Sequence, residues 1–334
     1  MRGKITLGIL ALAAVATACQ GEKIEREKEA LTPMTFEKVT LEDSFWLPRL
    51  KTQKETLVPF SLQKTEHAVA NLRRVGEYLS GKKVTERFQG PYFVASDLFK
   101  VMEGAAYLLI LEKDEALEAQ MDEIIDVIAS AQDEDGYLYE AHILPESLNN
   151  PGDAWRAGKH RYSFVVHSHE LYNMGHMYEG AIAYYRATGK RKWLDVAEKN
   201  AQHINRVFFE GDPNYNGGKP IMQAPGYQEI ELALIKLSQA TGNKLYAEMA
   251  KKFLDIRGVT YCPEGNGVMA PSYAQQHQPV REQRTAEGHS VRAMYLYSGM
   301  ADVVAELGDV TLNPALDAIW HDVMDKKIHI NGGL

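Results

Sequence analysis

The sequence predicts an all-α protein, an (α/α)6 toroid of helical hairpins, and three observations carry that expectation. Ala-rich helical stretches recur in pairs along the 334 residues. The pairs are closed by short glycine turns, at Thr188-Gly189, Thr241-Gly242 and Gly308. Long irregular stretches fall between pairs rather than within them. Hairpin starts lie roughly 50 to 70 residues apart, well beyond the ~34-residue tetratricopeptide period. This spacing suits inner helices joined to outer partners by short turns around a common axis.

At the N-terminus, Arg2 and Lys4 precede an apolar run, Ile5 to Ala16, too short to span a bilayer as an ordinary transmembrane helix. Ala16-Thr17-Ala18-Cys19 has the form of a bacterial lipobox, so residues 1–19 are expected to be a lipoprotein signal peptide with Cys19 lipidated. Residues 20–35, polar and rich in Glu and Lys, read as a flexible tether, and residues 36–334 as the helical domain. The expected location follows: exported and held to a membrane by lipid alone, in the periplasm or at the outer membrane or cell surface of a Gram-negative bacterium.

A composition of 45% hydrophobic and 25% charged residues suits a body with a large core. A net charge of -8 and the lack of a basic stripe argue against a nucleic-acid partner. Apart from Cys19 only Cys262 remains, so no internal disulfide is expected and packing must hold the fold. In Tyr261-Cys262-Pro263 that cysteine reads as a turn or core residue rather than a nucleophile, because no base is evident beside it.

Phe36 to Pro48 is β-prone and aromatic, an extended opening segment. One helix is expected from about Arg49 into the Leu72 region. The loop Phe88 to Asp97 ends with Ser96 or Asp97 capping a helix through Leu98, Val101, Ala105 and Leu109, and a partner helix spans about Ala116 to Ala131. Asp133 to Tyr139 is turn-rich, and the stretch up to about Arg161 has no helical period; so long a loop in a compact domain is usually functional. Ser168 to Gly189 then places Leu171, Met174, Tyr178, Ile182 and Tyr185 on one helical face, with His169, Tyr172, His176 and Glu179 roughly opposite. A partner helix follows through Trp193, Val196, Ala197 and Ile204. The same pairing recurs at Gly226 to Ile256 and Glu287 to Lys327. One early helix and four hairpins make about nine of the twelve helices of a six-hairpin ring, and Ile330 to Leu334 looks like a loop, so an incomplete toroid is expected.

Four stretches open inner helices and converge on one mouth: Ala95-Ser96-Asp97, His167 to His176, Pro225 to Glu231, and Gln276 to His289. Asp97, Glu170, Glu229 and Glu231 are the carboxylates from which a hydrolytic pair could come. His169 and His176, seven residues apart, lie two turns apart on one face and cannot share an ion without a third element. The loop Tyr273 to Gln283 gathers planar amides and guanidinium groups suited to sugar hydroxyls or a carboxylate. Tyr92, Trp155, Tyr162, Tyr172 and Tyr227 offer stacking faces for a sugar ring.

Several longer motifs occur in one order: Phe88-Gln89-Gly90 with Ala95 to Lys100, Asp135-Gly136-Tyr137-Leu138, His169-Glu170-Leu171-Tyr172 with Gly175-His176, Ala183-Tyr184-Tyr185 with Ala187 to Lys190, Pro225 to Leu232, and Pro279 to Gln283 with Gly288 to Ala293. From about Val39 to the C-terminus the chain thereby resembles glycoside hydrolase family 127, which includes β-L-arabinofuranosidases. The resemblance implies a partial (α/α)6 catalytic domain of a retaining, exo-acting glycosidase, with β-sandwich domains following in full-length members. It also implies a zinc ion, bound by cysteines and a glutamate, that activates a cysteine thiolate, and a further glutamate as acid/base. All of these fall beyond the motif matched by Gly332-Gly333, so no catalytic group or metal ligand, and no cofactor, is expected in this stretch, which alone should be inactive.

Carried over are sugar-contacting roles for His169, the Pro225-Gly226 loop and His289, with Asp97 as a further candidate, toward a terminal L-arabinofuranoside or related plant-polysaccharide sugar. The family commonly has His after Pro-Gly where this chain has Tyr227, which bears on the sugar recognised. Two other readings fit such a toroid: a sugar epimerase or unsaturated uronide hydrolase, and a non-enzymatic glycan-binding surface lipoprotein.

Overall fold

The computed structural model describes Met34 and residues 38–148, 157–260 and 271–334. Two compact units divide the chain at residues 1–41 and 42–334, and only Met34 and residues 38–41 of the first are described. Cys19, the tether apart from Met34, Trp155 and Cys262 lie outside the described residues.

In the second unit the described residues form eleven helices of seven residues or more and no strand. The first three are α1 (Trp46–Thr52), α2 (Val58–Lys64) and α3 (Glu66–Leu79). They replace the single early helix of the sequence reading, which is how about nine helices become eleven. Pro59 is the cause of the first break: it has no N–H and its ring crowds the carbonyl four residues back, and the turn before it, Gln53–Leu57, widens to a π-type turn. At the second, the Thr65 hydroxyl donates to the carbonyls of Ser61 and Leu62, ending α2 before α3 starts. The extended segment expected up to Pro48 also stops short, because α1 already includes Trp46 to Pro48.

Four hairpins follow: α4 (Val94–Leu111) with α5 (Glu115–Ser130), α6 (Glu170–Thr188) with α7 (Lys192–Asn205), α8 (Ile230–Thr241) with α9 (Lys244–Ile256), and α10 (Ser290–Leu307) with α11 (Asn313–Lys326). Their turns have a local chemistry. Gly189, Gly242 and Gly308 end α6, α8 and α10 in the left-handed region, at φ 73, 74 and 69, which other residues enter only with strain. The next helix is then restarted by a side-chain cap where the sequence supplies one, as Asn243 does for the Leu245 N–H. At α4 the start differs from expectation. The helix begins at Val94, and Ser96 donates back to the Phe93 carbonyl instead of capping, so Asp97 falls inside the first turn.

α4 packs on α6, α6 on α8 and α8 on α10, forming an inner row, while α5, α7, α9 and α11 are the outer partners. α6 is enclosed by α4, α7 and α8. Its chemical face is therefore buried along with its apolar one, from Asn173 through Tyr184. Trp193 of α7, fully buried, anchors the layer between rows by meeting Phe99 of α4 and Tyr184 of α6. Truncating a side chain of that size to Ala costs about 3 to 5 kcal/mol.

Candidate functional site

The starts of the inner helices come together, and each is led by a ring or a titratable group. Phe93 precedes α4, His169 precedes α6, Glu229 precedes α8 and His289 precedes α10. The His169 ring lies 4.9 Å from Phe93 and 3.6 Å from Tyr227, centroid to centroid. The Arg292 guanidinium sits 3.6 Å over the Tyr227 ring and 4.6 Å over Tyr273, and Tyr273 meets His289 edge-on at 5.4 Å. Tyr172 completes the group, edge-on to His169, with Lys100 donating to its hydroxyl at 2.8 Å. His169, Tyr227 and His289 are thus linked through one chain of ring and cation contacts. Burial, helped by the Arg292 charge, lowers the His289 pKa, leaving a neutral imidazole that can both donate and accept at neutral pH.

Gly226 explains how Tyr227 reaches His169. A Cβ on it would stand 1.8 Å from the Val166 carbonyl oxygen, and its N–H donates to the Val165 carbonyl at 3.2 Å. Only glycine lets the two loops approach so closely. Pro225 and Gly226 are themselves buried, so their place in the fold is to set Tyr227. Asp97 stands exposed on the first turn of α4, three residues before Lys100. Of the other proposed stacking faces, Tyr92 and Tyr162 are core: Tyr92 stacks on Phe88, and Tyr162 packs among Tyr137, Phe208 and Tyr215. Arg292, Tyr273 and Lys100 belong to stretches that the sequence marks, but not to its candidate site residues. A signal existed for Arg292, which follows His289 by three residues and so shares its helical face.

The candidate carboxylates separate by partner. Glu170 accepts from the Tyr137 hydroxyl at 2.5 Å, the Tyr162 N–H at 2.9 Å and the Ser168 hydroxyl at 2.6 Å. That holds Tyr162 in its left-handed conformation, φ 57. Glu231 forms a buried ion pair with Arg257 at 2.7 Å, and Arg257 also donates to the Ala274 carbonyl. Glu229 instead meets Glu179 and His176. Burial and then the Glu179 charge push the Glu229 pKa well above the usual carboxylate range. At Glu179 the upward push of burial is outweighed by His176, Glu229 and Lys236, and its pKa falls. Burial lowers the His176 pKa, giving a neutral imidazole.

His176, Glu179 and Glu229 are a buried group that could hold a metal ion, and it joins His176 to two carboxylates rather than to His169. It does not fit the thiolate-bound zinc that the resemblance implies, since it holds no sulfur and both cysteines of the chain lie outside the described residues.

Comparisons with known proteins agree with this architecture. The model of the family described as "Beta-L-arabinofuranosidase, GH127 catalytic domain" matches residues 38–334. A curated non-reducing end β-L-arabinofuranosidase of Bifidobacterium longum subsp. longum is 32% identical over 331 residues, covering 89% of this chain and 48% of its own length. Among solved structures, a GH127 β-arabinofuranosidase superposes with TM-score 0.79 at 40% identity, over 90% of this chain and 45% of that one. A GH127 β-L-arabinofuranosidase from Geobacillus stearothermophilus T6 gives 0.75 at 35%, over 88% and 46%. The chain spans about half the length of these relatives. A family match over nearly all of the helical body, together with that likeness of fold and sequence, means that the chain belongs to glycoside hydrolase family 127.

Proposed function

We propose that this chain is the sugar-holding part of an exported, retaining, exo-acting β-L-arabinofuranosidase that removes terminal L-arabinofuranosyl residues from plant-derived glycans. One observation carries the reading beyond family membership: His169, Tyr227 and His289 form one connected rim with Arg292 at the starts of three inner helices. Such a rim matches a small sugar. Ring faces cover the C–H surface of a furanose, while imidazole, phenol and guanidinium donors pair with its hydroxyls. Hydroxyls left unpaired in a closed pocket cost more than the contacts gain, so this donor set also sets specificity.

This chain spans about half the length of its relatives, and the resemblance puts the bond-breaking groups in the other half, so the activity is proposed for the whole protein and no chemical step is routed through the rim. What the rim does is bind and orient. Tyr227 stands where the family commonly has His, and a phenol carries one donor in place of the two imidazole nitrogens. A related pentofuranoside or a different linkage is therefore the natural place for this protein to diverge from its relatives. Anchoring rests on the Ala16-Thr17-Ala18-Cys19 pattern. Among the described residues no helix is long and apolar enough to cross a membrane. Replacing Cys19 by Ser should move the protein into soluble fractions, and continued membrane retention would count against lipidation.

The test of activity is hydrolysis of an aryl β-L-arabinofuranoside by the whole protein and its His169→Ala and His289→Ala variants. Each variant is expected to lose about 100-fold in kcat/KM, as befits one or two lost hydrogen bonds to the substrate. Undiminished kcat/KM in both would sink the assignment of the rim. Sugar binding without turnover in the parent would favour a glycan-binding protein instead.

A further inference from the structure

We infer that His176, Glu179 and Glu229 form a buried divalent-cation site of the zinc class, tying α6 to the start of α8 beneath the ring-lined rim. The inference is independent of which sugar the rim takes.

Donor geometry is the first support. Nδ1 of His176 lies 3.5 Å from a carboxylate oxygen of Glu229 and 3.6 Å from one of Glu179, and one ligand atom from each residue falls within 4.8 Å of the others. These separations are too long for good hydrogen bonds. They suit a shared ion, because two ligands held about 2.0 to 2.2 Å from one tetrahedral zinc stand roughly 3.4 Å apart.

The second support is the lack of any other partner. Both nitrogens of His176 and both carboxylate oxygens of Glu229 are buried without a hydrogen bond, in side chains 3% and 0% exposed. Polar groups enclosed in this way are costly unless something pairs with them. Nor is Glu229 there by accident of packing. A Cβ at position 175 would stand 2.4 Å from the Glu229 Cγ, so α6 carries glycine at the one place where the carboxylate arm must pass.

Charge and donor type narrow the occupant. Lys236 donates to one oxygen of Glu179 and leaves the other facing His176. Glu103 and Asp302 also lie close enough to Lys236 to interact with it, and Lys100 acts on His176, so the four carboxyl groups Glu103, Glu179, Glu229 and Asp302 outnumber the two ammonium groups. A dication balances that excess. One imidazole with two carboxylates is a nitrogen and oxygen set, suited to zinc or its divalent neighbours rather than to calcium or magnesium, which take oxygen ligands. Bound there, the ion would stiffen the floor of the rim, since Tyr172 packs edge-on against His176 at 4.6 Å.

The experiment loads the whole protein with zinc, removes excess by gel filtration, and counts zinc in the parent and in Glu229→Gln. Counting the difference makes the result insensitive to zinc bound elsewhere in the protein. The variant should carry one equivalent less, and added zinc should raise the parent's Tm by about 3 °C more than the variant's. Cobalt bound at this site should show d–d bands that the variant lacks. Equal zinc content and equal Tm response would overturn the site and leave a carboxyl pair sharing a proton. Should Glu229→Gln fail to fold, anomalous scattering at the zinc edge from parent crystals decides: a peak between His176 and Glu229 supports the site, and its absence overturns it.

Discussion

Two pairs of buried glutamates sit on the same two inner helices and differ in the partners that the protein gives them. Glu170 and Glu231, near the helix starts, are met by a phenol, a hydroxyl, a backbone N–H and a guanidinium. Glu179 and Glu229 share a lysine and a histidine between two carboxylates, and Glu229 has no hydrogen-bond donor at all. Burial is common to all four, so burial cannot be what separates a structural carboxylate from one kept for binding. The separation lies in whether the protein itself supplies the compensating donors.

The largest effect expected from that contrast is at the satisfied pair. Arg257→Met leaves Glu231 buried and uncompensated and removes a donor from the Ala274 carbonyl, so a loss of about 3 to 5 kcal/mol in unfolding free energy is expected by urea titration. A loss under about 1 kcal/mol would break the comparison, because Glu231 would then behave like Glu229.

Next in size is a pH effect that extends the contrast to histidine. His203 is buried, with Nδ1 bonded to the Asp135 carbonyl, and burial lowers its pKa to about 4 against an ordinary 6.5, with Asp135 opposing and Arg206 and Arg161 assisting. Between those values the unfolded chain binds the proton that the folded chain refuses. Stability contributed by the neutral ring is therefore present above pH 6.5 and lost as pH falls through 6.5 toward 4, by up to about 3 kcal/mol. Glu140, pushed up to about 7 by burial, works with the opposite sign, its contribution being lost as pH rises from about 4.5 to 7. The two partly cancel in the parent. Only the difference between parent and His203→Gln isolates the histidine, and a difference that is flat from pH 7 to 4 would count against a neutral buried ring.

A smaller loss, about 1 to 3 kcal/mol, is expected for Glu170→Gln. The amide still accepts through one oxygen but gives up the charge that three donors face, and Tyr162 loses the hold on its left-handed backbone. Protease sensitivity around residues 157–168 should rise with the loss of stability, and an unchanged melting curve would show that the loop is held by other contacts.

These contrasts also mark where the sequence is legible. Helix pairs and their glycine turns are local patterns, and Gly189, Gly242 and Gly308 take the left-handed conformation that their positions after Ala-rich helices imply. His169, Tyr227 and His289 come together for a related reason: residues that open inner helices share one end of the hairpin array. The break at Pro59 was written in the chain but outweighed by the helical period around it. Partnership across helices is not local. Nothing near Glu229 in sequence says that Gly175 clears its path, nor that Glu231, two residues on, finds Arg257 while Glu229 finds only His176 and Glu179.

The smallest effect is also the most discriminating. In metal-free protein Glu229→Gln should change stability by less than about 1 kcal/mol, and the change should favour the variant. In the parent, burial and the Glu179 charge make Glu229 hold a proton that it would give up in water, and a neutral amide of the same shape avoids that cost while offering its own N–H to Glu179 or His176. The same substitution at Glu231, facing Arg257 at 2.7 Å, should destabilise instead. Urea titrations of the two variants in the presence of a chelator give the comparison directly. Opposite signs would confirm that the inner helices hold one carboxylate for the fold and another for a ligand. Equal losses would mean that Glu229 has a structural partner after all, and the distinction between the two pairs would fail.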